Sequence, residues 1–154
     1  MSAEIDAKLA SLGITLPAAA APAANYVPYV QSGNMLYISG QLPMENGKLG
    51  VTGTLGAGIH TPEGQRAAEL CAINILAQAQ AALGDLGRVK RVVKITVLVS
   101  STPDYYEQHL VANGASNLLA NVLGEAGKHA RAAVGMASLP LNAAVEIDAI
   151  LEVA

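Results

Sequence analysis

Between Thr61 and Gly84 small side chains return on the same side of every turn: Ala68, Cys71, Ala72, Ile75, Ala79 and Ala82 recur at three- and four-residue steps. A helix with so narrow a face of small residues is suited to lying flat on a sheet. Thr61-Pro62-Glu63 reads as its start, with Thr61 as N-cap, a proline at the first helical position and an acid in the first turn, and Gly84 reads as its stop.

The rest of the chain supplies the strands. Tyr29 and Val30 precede a Gly33-Asn34 turn. Leu36, Ile38 and Gly40 then alternate with Tyr37, Ser39 and Gln41, which is a hairpin signal. Val93, Ile95, Val97 and Val99 alternate with Lys94, Thr96 and Leu98, predicting a central strand. A second helical region over residues 105–123 carries Leu110, Val111, Leu118, Leu119 and Val122, with Gly124 near its end. Two strands over 130–137 and 144–153, joined through 138–142, are expected to finish the sheet as a hairpin. The order is ββ-α-β-α-ββ, an α+β domain with a mixed sheet and two helices packed on one face.

Ahead of this, Ile5, Leu9 and Leu12 stand at helical spacing before Gly13. The stretch from Leu16 to Ala24 places a proline near each end of an alanine run, which favours an extended connector. Residues 1–25 are therefore read as a helix and an arm, and residues 26–154 as the domain. Gly47, Gly50, Gly53, Gly56 and Gly58 do not make a phosphate cradle, because no Gly-Lys-Ser/Thr or properly spaced GxGxxG follows.

Composition narrows the function. Apolar types form 52% of the chain and charged ones 14%, too little charge to cover a monomer's exterior, so part of the apolar surface is expected to meet another copy. A net charge of −3 with nine Lys and Arg argues against a nucleic-acid partner. The single cysteine, Cys71, falls on the helix face and reads as core in a reducing compartment. The acidic N-terminus leads into no apolar h-region and no long apolar span follows, so a cytoplasmic protein with no membrane partner is expected.

Few residues offer chemistry. His60, His109 and His129 are far apart and sit in no metal motif, so no metal site is expected. No Gly-x-Ser-x-Gly elbow is present, and Cys71 has no neighbouring base. Tyr26, Tyr29 and Tyr37 surround the first hairpin, where they can line a pocket or fill the edge of the core. Strand alternation separates Arg131 from Val134 and Met136, and Glu146 from Val145 and Ile147. Arg131 and Glu146 are therefore expected to face away from the core together, as an exposed ion pair or as a site.

The segments Pro28-Tyr29-Val30-Gln31, Tyr37-Ile38-Ser39-Gly40-Gln41-Leu42-Pro43, Val93-Lys94-Ile95-Thr96-Val97-Leu98-Val99, Arg131-Ala132-Ala133-Val134, Leu139-Pro140 and Val145-Glu146-Ile147 together resemble the RidA family, also called the YjgF or endoribonuclease L-PSP-like family. The resemblance runs from about Tyr26 to the C-terminus. It implies a chorismate-mutase-like fold, a homotrimer with pockets in the clefts between subunits, and cofactor-free hydrolysis of reactive enamine or imine acids to 2-keto acids and ammonia. It places the family's carboxylate-binding arginine at Arg131, its water-positioning glutamate at Glu146 and its pocket tyrosine at Tyr29. Ser39, Gly40 and Asn113 fall at pocket positions, and Ala133 can take part only through its backbone. A guanidinium fork suits a carboxylate because it offers two charge-assisted hydrogen bonds.

Three features depart from shorter members: the extension before Tyr26, Ala133 where many have Cys or Ser, and the polar stretch Gly124-Glu125-Ala126-Gly127-Lys128-His129. They keep a second reading open, a non-catalytic trimer that binds a metabolite or another protein. The ribonuclease activity in the family's older name sits poorly with the acidic charge.

Overall fold

The structure, a computed structural model, describes residues 2–154. Helix α1 (Ser2–Ser11) precedes Gly13, which takes the left-handed conformation at φ +71°. Leu9 is buried in the main core and Ile5 packs against it, so the helix docks on the body. The arm that follows has no regular element. Strands β1 (Tyr29–Ser32) and β2 (Met35–Gln41) turn about Gly33, at φ +61°. The glycine-rich stretch holds two small ladders, β3 (Met44–Glu45) with β4 (Lys48–Leu49) and β5 (Thr54–Leu55) with β6 (Gly58–Ile59). Then come α2 (Thr61–Leu83), β7 (Val89–Ser100), α3 (Gln108–Leu123), β8 (Ala130–Met136) and β9 (Val145–Val153).

The five long strands form one sheet in the order β1-β2-β9-β7-β8. All its pairs are antiparallel except β7 with β8, which are parallel and joined by the α3 crossover that such a pair requires. Helices α2 and α3 cover one face. Beneath them Leu36, Ile95, Val97, Ile147 and Leu151 are fully buried. This is the expected α+β arrangement.

One expectation fails, and it matters for function. The last two strands are not a hairpin, because β7 lies between them. An interior strand needs an apolar row and partners on both edges. β9 has both, with Val145, Ile147, Ala149, Leu151 and Val153 buried, whereas β8 sets only Arg131, Ala133 and Gly135 against the helices and is left at the edge.

Smaller differences have local causes. α2 is capped one residue earlier than expected, at His60, whose backbone N–H donates to Glu63 Oε1 at 2.8 Å. The Thr61 hydroxyl instead reaches Glu107 Oε1 at 2.6 Å and the Tyr105 hydroxyl at 2.5 Å. α3 starts at Gln108 because Tyr105 N–H closes a turn on the Thr102 carbonyl. In β2 the register slips: Ile38 faces Ala149 while Gln41 faces Ile147, three steps against two. This bulge turns Gly40 away from the core and Gln41 into it.

Small residues let the two helices approach closely. A Cβ on Gly114 of α3 would overlap the Gln65 carbonyl oxygen of α2, and that atom belongs to a rigid backbone. Gly114→Ala is therefore expected to destabilise the fold by about 1–3 kcal/mol despite alanine's better helix propensity. Urea unfolding of the two proteins checks this, and an unchanged midpoint would show that the helices can part at no cost.

Candidate functional site

Residues paired across a sheet share a face, so the ladder assigns each side chain. Arg131 pairs with Ile95, which is fully buried under the helices. Its side chain therefore runs on the helix side of the edge strand, against α3. Nη1 donates to Asn113 Oδ1 at 2.9 Å and to Ser116 Oγ at 3.0 Å, and Nη2 donates to the His109 carbonyl at 2.8 Å. A guanidinium has five N–H donors, so these bonds leave two for a ligand. All three acceptors are neutral, and among the described residues no carboxylate is ion-paired with Arg131.

Behind this arginine lies a chain of bonds that the sequence did not announce. His129 Nδ1 lies 2.6 Å from the Gly127 carbonyl, which can only accept, so that nitrogen carries the proton. His129 Nε2 then accepts from the Ser116 hydroxyl at 2.8 Å, leaving Ser116 Oγ to accept from Arg131. Every donor and acceptor in the chain is consistent with a neutral imidazole. Burial holds His129 below its ordinary value; the bond to Gly127 opposes this and the Arg131 charge adds to it. The sequence offered only part of the signal: 129 stands two residues before 131, and 113 and 116 are one helical turn apart, but nothing in it brings the two segments together.

Glu146 lies elsewhere. It pairs with Leu98, as Val134 does, and so stands on the face without helices. Strands 4.8 Å apart put β8 and β9 about 10 Å from each other across β7, and three residues add about 10 Å along the strands. Arg131 and Glu146 therefore point from opposite faces of one sheet and cannot meet in one copy. They form neither the expected ion pair nor a complete site within one protomer.

Around Glu146 is a small cavity of about 230 Å³, lined by the arm, by Tyr26 and Pro28, by Gly40 and Gln41 and by Pro140 and Leu141. Gly40 has to be glycine for Glu146 to sit here, because a Cβ would overlap the carboxylate. Burial raises the Glu146 carboxyl above its ordinary value, and the charge of Asp148 adds to the rise. That moves it toward the range useful to a general base at neutral pH.

The other expected residues divide between the two places. Asn113 and Ala133 belong to the Arg131 half, and Gly40 to the Glu146 half. The Ser39 hydroxyl donates to the Val27 carbonyl at 2.8 Å and fastens the end of the arm. Tyr29 packs against the core, and Tyr26 is the tyrosine at the Glu146 cavity. Cys71 is fully buried with its thiol raised by desolvation, which leaves it unreactive. A more voluminous cleft of about 520 Å³ lies between α2, α3 and the arm; neither Arg131 nor Glu146 lines it, and its Arg66 is already paired with Glu45 and Glu69. Among the described residues no three His, Cys, Asp or Glu cluster as a metal site, and no helix is long and apolar enough to cross a membrane.

The raised Glu146 carboxyl has a consequence for stability. The folded chain takes this proton at a higher pH than the unfolded chain, whose group titrates near 4.5. Above both values the fold carries the charge at a cost, and below both the cost vanishes. Glu146→Gln is expected to melt higher than the wild type at pH 7, with the advantage shrinking as the pH falls toward 4. Thermal unfolding at both pH values checks it, and a lower melting temperature at pH 7 would mean that the carboxylate is well solvated.

Comparison with known proteins identifies the fold and the family. The sequence profile described as "YjgF/chorismate mutase-like, putative endoribonuclease" matches residues 6–152. Protein TCP17 of Trypanosoma cruzi is 57% identical over 152 residues, covering 98% of this chain and 95% of its own. The crystal structure of Atu1372 from Agrobacterium tumefaciens is 62% identical with a TM-score of 0.94, covering 99% and 94% of the two chains. At nearly equal identity two further structures differ. An endoribonuclease-named protein of Shewanella oneidensis, 34% identical over 97% of this chain and 99% of its own, has a TM-score of 0.94. RidA of an Antarctic Psychrobacter, 33% identical over 90% and 98%, has 0.61. The fold is the YjgF/chorismate-mutase-like one, and the chain belongs to the YjgF family, also called RidA.

Proposed function

We propose that this chain is a hydrolytic deaminase of small enamine and imine acids, working in a homotrimer at clefts where the Arg131 side of one copy meets the Glu146 side of the next. The observation that carries the reading is the half-buried guanidinium of Arg131, held by neutral acceptors and with two N–H groups to spare. A cation so placed and unneutralised is built for an anion. Apolar side chains on the outer face of the sheet, Val30, Tyr37 and Val134, stand exposed beside Glu146 and Asp148 with no helix over them, which supports a partner there. The expectations of no cofactor and a cytoplasmic location belong to the same reading.

In this mechanism an enamine first gains a proton on carbon and loses one from nitrogen to become the imine. Arg131 holds the carboxylate and so fixes the adjacent C=N carbon. Glu146 accepts a proton from water as its oxygen bonds to that carbon and the C=N electron pair moves to nitrogen, to which Glu146 returns the proton. As the carbinolamine collapses, Glu146 takes the hydroxyl proton and passes it to nitrogen, the C–N bond breaks, and ammonia leaves to give the keto acid. Imines hydrolyse unaided, so modest acceleration is enough.

The drop in TM-score toward RidA at equal identity favours one other reading, a trimer that binds a carboxylate without turning it over. Keto-acid release from freshly generated 2-aminoacrylate separates the two. Wild type is expected to exceed the spontaneous rate, Glu146→Gln to lose about 10²–10⁴-fold of that excess, and Arg131→Ala about 10²-fold or more. Rates equal to wild type in both variants would reject the deaminase, and keto-acid binding without turnover would establish the alternative. Trimers reassembled from a mixture of the two inactive variants are expected to regain activity, because some clefts then pair an intact arginine with an intact glutamate. No recovery would place the two residues in separate sites.

A further inference from the structure

We infer that arm residues 20–23 wall the subsite for the substrate's side chain and select imine acids with a short apolar side chain. This inference rests on the deaminase reading. If Arg131 grips the carboxylate and nitrogen leaves from the imine carbon, the third substituent on that carbon must lie beside Glu146. The space there is the cavity of about 230 Å³, and Ala20, Ala21, Pro22 and Ala23 of the arm line it.

The lining decides what fits. Glu146 is the only carboxylate around the cavity and there is no Lys, Arg or His. An anionic side chain would meet the Glu146 charge, and a cationic one would pair with it and occupy the group that must take a proton from water. Leu42, Met44, Pro140 and Leu141 complete an apolar boundary that favours a hydrocarbon side chain. The modest volume, below the usual range for ligand pockets of about 300–1,000 Å³, favours a short one.

The wall is tied down at both ends. Gln78 on α2 donates from Nε2 to the Ala20 carbonyl at 2.8 Å and to Gln41 Oε1 at 3.3 Å. Beyond Ala23, the Ser39 hydroxyl and backbone N–H hold the carbonyls of Val27 and Pro28 at 2.8 and 2.9 Å. Gln78 is itself an independent sign of this role. It is 1% exposed, and its Oε1 is the buried side-chain polar atom left without a partner among the described residues. A leucine would fill the position with no orphaned atom. The amide does what leucine cannot, fastening the arm over the cavity.

The test uses the full chain. Imines are generated in place from alanine, leucine and glutamate by an amino-acid oxidase, and kcat/KM above the spontaneous rate is measured for wild type, Ala21→Leu and Ala23→Leu. Both positions are exposed, so the larger side chains leave the core intact, which unfolding curves confirm. Wild type is expected to prefer the leucine-derived over the glutamate-derived imine by at least tenfold. In at least one variant the leucine-to-alanine ratio should fall by tenfold or more. The same preference is read without turnover as binding of 4-methyl-2-oxopentanoate against pyruvate. Ratios unchanged in both variants, with the wild type active, would overturn the wall and leave the deaminase standing. A wild type that neither hydrolyses any imine nor binds either keto acid would remove the deaminase reading and the wall with it.

Discussion

Strand β9 sends Val145, Ile147, Ala149, Leu151 and Val153 under the helices, and the two-residue period of a strand then leaves Glu146 only the opposite face. Most of what is particular to this molecule depends on that constraint. The row of five cannot turn outward without exposing the centre of the core, so the carboxylate is locked to the helix-free side. The bulge in β2 turns Gly40 to the same side, where its missing Cβ makes room for the carboxylate. Arg131 obeys the same period on β8 with the opposite result, because its ladder partner Ile95 faces the helices.

The proposed site is thus divided by the sheet that carries it. Each half is well built on its own: the arginine by Asn113, Ser116, His129 and the His109 carbonyl, the glutamate by Gly40 and a mostly apolar cavity. Neither half neutralises its own charge. An unpaired, half-buried guanidinium and a carboxyl raised by burial both cost stability in an isolated copy. Such costs are typical of sites completed by a ligand or a partner, and the exposed Val30, Tyr37 and Val134 on the outer face point the same way.

Family membership narrows the chemistry without fixing it. Among structures about one-third identical to this chain, one superposes at a TM-score of 0.94 and RidA itself at 0.61. What the chain adds to the short family pattern, namely the arm over the Glu146 cavity and the His129 stretch behind Arg131, lies close to one half of the site or the other.

Much of this was legible from local pattern. The small-residue face of α2, the alternation in β7 and β9, and the Gly33 and Gly84 stops follow from three-residue, four-residue and two-residue periods, which a sequence displays directly. Those periods assign Glu146 to the outer face without any structure. They do not say which strands are neighbours, and so the presumed hairpin of the last two strands, and with it the meeting of Arg131 and Glu146, was misread. Whether β9 sits beside β8 or between β2 and β7 depends on how much apolar surface each strand can bury on both edges at once. That is a property of the packed sheet as a whole. The same holds for His129, whose partner Ser116 lies on another element: the sequence determined which groups were available, and only the packing of α3 on the edge strand decided that they would form one chain of bonds behind the arginine.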